Sequence, residues 1–106
     1  MDLDEYQERT RETAVYPEQL AVPYLALGLN DESGEVAGAV KKYMRGDYGK
    51  EELRERLKGE AGDVLWYWVR LLDEADLDAS DVMEANADKV FDRKERGVIR
   101  GDGDNR

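Results

Sequence analysis

The sequence predicts an all-α, four-helix bundle-like domain with a long central third helix, and three observations carry that reading. Apolar residues recur at three- and four-residue steps in two long stripes: Leu25, Leu29, Val36, Val40 and Tyr43, then Leu53, Leu57, Val64, Trp68 and Leu71. Turn-forming clusters around Tyr16-Pro17 and between Arg45 and Gly49 separate the periodic segments. The one strand-like run, residues 64–69, is flanked by LRERLKGE and RLLDEA, which are strong helix formers.

A first helix is expected over residues 2 to about 13, with Leu3, Tyr6 and Thr10 on one side. Pro23 opens the second, which carries the first stripe to Met44 and stops where Gly46 and Gly49 favour a turn. That turn makes a helical hairpin with the third helix, running from about residue 50 to 75. Its centre, 64–69, is apolar on every side and must be buried all round, which predicts completion of the fold by a homodimer or higher homo-oligomer. Asp78 or Ser80 caps a fourth helix reaching about residue 96, with Val82, Met83, Ala87 and Val90 inward. The glycine-rich tail, 97–106, reads as mobile. With no repeats or linkers, the 106 residues are expected to form a single domain.

A net charge of −10 and a pI near 4.5 repel a nucleic-acid backbone, so binding to a nucleic acid polymer is disfavoured. Neither a membrane span nor a secretory leader is visible, so a cytoplasmic location is expected. The absence of cysteine and histidine removes thiolate and imidazole chemistry and leaves oxygen ligands.

Two carboxylate pairs break the stripes where a helix buries leucine. Glu32 lies three residues after Leu29 and four before Val36; Glu60 lies three after Leu57 and four before Val64. Glu35 and Asp63 follow one turn on, so each helix presents two acids on one face. Because 26 of 106 residues are acidic, spacing alone decides little; Glu52/Glu55 and Asp81/Glu84 share it and read as solvated faces. The apolar frame separates the two central pairs. Four carboxylates near a core repel one another unless a cation joins them, and hard oxygen donors suit Mg²⁺, with Mn²⁺ as a substitute. The glycines beside the acids, Gly34, Gly38, Gly59 and Gly62, suggest close backbone approach around that site.

ExxE followed by ExxD on the next helix, with 24 residues between Glu35 and Glu60, resembles the MazG-like nucleoside triphosphate pyrophosphohydrolases of the all-alpha NTP pyrophosphatase superfamily. The stretches LGLNDESGEVAGAVKK, EAGDVLWYWVRLL and VMEANADKVFDRKERG follow the family pattern in order and spacing, and GDGDNR is similar to the ends of short members. The resemblance implies Mg²⁺-dependent hydrolysis of a nucleoside triphosphate to a monophosphate and pyrophosphate. It implies Glu32, Glu35, Glu60 and Asp63 as metal ligands and catalytic groups, one of them, Glu35 or Glu32, orienting or deprotonating the water. It also implies nucleotide contacts at Tyr67, Asn86, Lys89 and Arg93. Asn86, Lys89 and Arg93 fall on one face of the fourth helix, and Lys42 follows the first acid pair closely enough to reach phosphate. Two alternatives stand beside this: a non-catalytic helical module that binds a divalent metal, and a related hydrolase acting on another nucleotide.

Overall fold

Asp2 starts the chain's first helix by accepting a hydrogen bond from the Glu5 amide at 2.8 Å. The computed structural model describes residues 1–106 and contains four helices: α1 (Leu3–Thr10), α2 (Ala21–Met44), α3 (Lys50–Glu74) and α4 (Ala79–Glu95). Arg11–Thr13 and Glu18–Leu20 are single 3₁₀ turns, so the first helix tightens and ends three residues short of its expected limit. α2 begins two residues before Pro23, whose missing amide falls in the first turn where no intrahelical bond is lost. The α3 and α4 boundaries match the sequence expectation, with Asp78 capping α4 by accepting from the Ser80 amide at 2.9 Å.

The long helices end by the same device. Gly46 at φ 89° and Gly97 at φ 73° turn the chain out of α2 and α4, and amides two residues past each cap reach back to Lys42 and Arg93 carbonyls. Asp76 takes that left-handed role after α3, at φ 58°.

α2 and α3 pack along their length as a hairpin, and α1 lies across the far end of α3. α4 meets α1 and α3 at its beginning, where Ala79 is fully buried. Beyond that point it leaves the hairpin. Met83, Ala87 and Val90, expected to face inward, are exposed, because α4 has no neighbour within the chain to cover them. Likewise the centre of α3 is not buried all round: Val69 is buried, Trp66 and Trp68 are half-buried and Leu65 is 38% exposed. Only 9 of 106 residues are buried, and the radius of gyration is 16.6 Å, where a compact chain of this length has about 13 Å. A single chain therefore leaves much of its apolar surface uncovered.

A polar cluster joins α1, α3 and the start of α4. The Arg70 guanidinium, 3% exposed, donates to Asp73 at 2.6 Å, to Glu74 at 2.9 Å and to the Tyr16 hydroxyl at 2.9 Å. Gln7 donates to Asp73 and to the Leu77 carbonyl, both at 3.0 Å, and accepts from the Ala79 amide at 2.7 Å. Arg11 adds a two-pronged pair to Asp73 at 2.8 and 3.0 Å. These contacts hold Asp73 well below the usual carboxylate range, Arg11 contributing most.

Candidate functional site

The hairpin brings acids from α2 and α3 face to face. Glu32, Glu60 and Asp63 each place a carboxylate oxygen within 4.8 Å of the other two; Glu32 and Glu60 are half-buried and Asp63 is exposed. Leu29 and Val36 on α2, and Leu57 and Val64 on α3, bracket these acids and are half-buried, so the apolar frame is what turns the carboxylates toward each other. Glu35, one turn further along α2, is exposed and outside the three-carboxylate cluster. Loss of hydration, followed by the charges of Asp63 and Glu60, raises the Glu32 carboxyl above its ordinary value.

Such mutual repulsion is what a bound cation relieves. Three oxygens sharing one magnesium ion would lie about 3.0 to 4.2 Å apart, given metal–oxygen bonds of about 2.1 Å, so the three acids would have to draw closer to hold one ion together. With no histidine or cysteine in the chain, the donor set is that of a hard divalent ion.

Tyr67 stands one turn after Asp63 on α3, and Gly28 one turn before Glu32 on α2. The two are fitted to each other: a methyl group on Gly28 would meet the Tyr67 ring at 2.1 Å. Tyr67 also packs edge-on against Trp66 at 5.0 Å between centroids. With Tyr24, Leu27 and Asp31, Gly28 and Tyr67 line an open cleft of about 360 Å³ beside the acids. By contrast, nothing lies within 4 Å of a methyl group built on Gly34, Gly38, Gly59 or Gly62. No protein atom crowds those four positions, and the crowded glycine is one that spacing did not single out.

Lys42 is exposed in the last turn of α2 and forms no ion pair. On α4, Lys89 and Arg93 do converge, but on the tail: Lys89 donates to the Asp104 carboxylate at 2.8 Å and Arg93 to the same oxygen at 3.2 Å. Asn86 is exposed one turn before them. No hydrogen bond or ion pair joins these α4 groups to the acids of the hairpin.

Residues 22–98 match the family model described as the MazG nucleotide pyrophosphohydrolase domain, a span that takes in all four hairpin acids and the α4 cations. The chain belongs to this family. The MazG domain is also similar to the "Gene 37 protein" of Mycobacterium phage L5, 40% identical over 114 aligned positions that cover 100% of both chains. No solved structure matches it significantly. The family generally depends on a divalent metal, and Glu32, Glu60 and Asp63 are acids of this MazG domain that lie close enough together to share one. No helix is long and apolar enough to cross a membrane.

Sequence reasoning missed three participants. Gly28 carried no signal, since its partner Tyr67 lies on another helix. Arg70 had one: it is a charge inside the apolar run VLWYWVRLL, a placement that demands buried partners. Asp104 also had one, as an acid in a tail that follows a basic helix end.

Proposed function

We propose that this MazG domain is a Mg²⁺-dependent nucleoside triphosphate pyrophosphohydrolase that cleaves the anhydride between the α and β phosphates, yielding a (d)NMP and pyrophosphate. The convergence of Glu32, Glu60 and Asp63 from two helices is the observation that carries this reading. Magnesium, with manganese as a substitute, supplies charge neutralisation at the phosphate oxygens and polarises the attacking water when bound. Glu32, Glu60 and Asp63 hold the ion. Glu35, outside the cluster on the same face of α2, completes the ligand set and accepts the water's proton as the new P–O bond forms and the bridging bond to pyrophosphate breaks. Tyr67 borders the nucleoside beside the acids, and Asn86, Lys89, Arg93 and Lys42 bind phosphate.

The whole chain, 1–106, acts as one domain in the cytoplasm, clearing nucleotides from the pool. It works as a homodimer or higher homo-oligomer, a reading supported by Leu65, Met83, Val90 and Phe91, which one chain leaves uncovered. The acidic surface disfavours a polymer of nucleic acid or an anionic membrane, and the uncovered apolar face is what favours a second copy.

Product analysis across canonical, deoxy and damaged nucleoside triphosphates with Mg²⁺ tests the activity, comparing wild type with Glu35→Ala and Glu32→Gln. Monophosphate and pyrophosphate are expected in equal amounts and lost in both variants. Metal affinity without turnover on any of the panel would overturn the enzymatic reading.

A further inference from the structure

The last ten residues are folded back along α4. Gly97 reverses the chain at the end of the helix, and the Arg106 guanidinium then gathers the loop by donating to the carbonyls of Val98, Ile99 and Gly103 at 3.1, 2.8 and 2.7 Å. Arg96 closes the loop by donating to the Arg106 carbonyl at 2.5 Å. This internal bracing presents Asp104 to α4. Its carboxylate bridges Lys89 and Arg93, and its backbone carbonyl accepts a second bond from Arg93. The Arg93 side chain is 10% exposed, while the Asp104 side chain is 74% exposed. Arg93 is therefore seated, Lys89 at 40% exposed stands at the rim, and the acid that joins them is accessible from solvent.

Two oxygens set against a lysine and an arginine one turn apart are what a phosphate group would offer to the same pair. We propose that the C-terminal segment is a displaceable plug, with Asp104 occupying the anion positions of Lys89 and Arg93 until a substrate polyphosphate, or the pyrophosphate product, takes them. The inference rests on the reading that Lys89 and Arg93 meet phosphate. Pairing also holds the Asp104 carboxyl below its ordinary range, Lys89 contributing most, so the plug is charged near neutral pH. An exposed carboxylate pair is weak, whereas a polyphosphate brings more charge and more acceptor oxygens to the same donors. The tail's short tether makes it a competitor at fixed local concentration, which sets a threshold that the nucleotide must exceed.

Titration calorimetry with inorganic pyrophosphate at fixed Mg²⁺ tests this on the full chain. Asp104→Asn, which keeps the shape and removes the charge, is expected to tighten pyrophosphate binding roughly two- to thirtyfold, the span of two exposed ion pairs. Asp104→Ser should agree, and the gain should shrink when Lys89→Gln is added. Trypsin cleavage after Arg100 in the wild type should accelerate when pyrophosphate is present. Unchanged or weaker binding in both Asp104 variants, with Lys89→Gln still weakening it, overturns the plug and leaves the phosphate contacts standing. Unchanged binding in Lys89→Gln alone removes the phosphate reading, and the plug with it.

Discussion

Replacing Gly28 with alanine separates two effects that usually travel together. Any glycine inside a helix gains about 1 kcal/mol on becoming alanine, because the unfolded chain loses freedom and the helix loses a weak former. Gly34 and Gly62 have open space around them, so Gly34→Ala and Gly62→Ala should each show a gain of up to that size. At Gly28 the added carbon would lie 2.1, 2.4 and 2.7 Å from three atoms of the Tyr67 ring. Trp66 packs edge-on against the ring on one side, so it can retreat only by swinging into the open cleft it shares with Tyr24, giving up its contact with α2. Crowding of that kind costs about 1–3 kcal/mol. The helix gain is common to all three variants, so the difference between Gly28→Ala and the other two is the crowding itself. For a domain of this length that difference is roughly 4 °C or more in melting temperature. Thermal or urea unfolding at one protein concentration, without metal, measures it. If Gly28→Ala melts at or above Gly34→Ala, the packing of Tyr67 against α2 is wrong, and so is the cleft beside the acids.

Two further outcomes follow from the packing. Asp73 has a carboxyl depressed by Arg11, Gln7 and Arg70, so its contribution is complete above the unfolded value of about 3.9 and is lost as pH falls toward the folded one. Asp73→Asn should therefore lower stability by roughly 1.5–3 kcal/mol at neutral pH, with the gap to wild type closing in acid; a gap that stays constant from pH 7 to 2 contradicts the ionic role. Light scattering at micromolar concentration should give at least twice the 12.1 kDa chain mass, and a monomer with full activity would remove the oligomer.

Much of the architecture was legible because it is local. The hairpin followed from two apolar stripes and the Gly46 turn, and the Asp78 cap from a single side chain. Glu32, Glu60 and Asp63 were also legible, since a carboxylate between Leu29 and Val36, or between Leu57 and Val64, has to turn the way its neighbours turn. What periodicity conceals is which neighbour covers a face. Val82, Met83, Ala87 and Val90 mark an apolar side of α4, yet the helix leaves the hairpin after Ala79, and beyond the half-buried Val82 that side meets solvent. Spacing likewise placed the crowding at Gly34 and Gly62, whereas it depends on a ring contributed by the other helix of the hairpin and falls at Gly28. For the tail, composition weighs the glycines but not Arg106, whose three donors brace the loop internally, nor Asp104, which links it to α4.

Gln7 has a consequence for the bearing of α4. Its side-chain amide uses both its donor and its acceptor ends on Asp73, Leu77 and Ala79, at the corner where α4 departs. Directional bonds of that sort specify an angle, whereas greasy contacts tolerate sliding. Leucine there would conserve bulk yet strand three polar partners and free the last helix to swivel, so one neutral amide near the amino terminus governs how far the distant basic residues stand from the carboxylates of the hairpin.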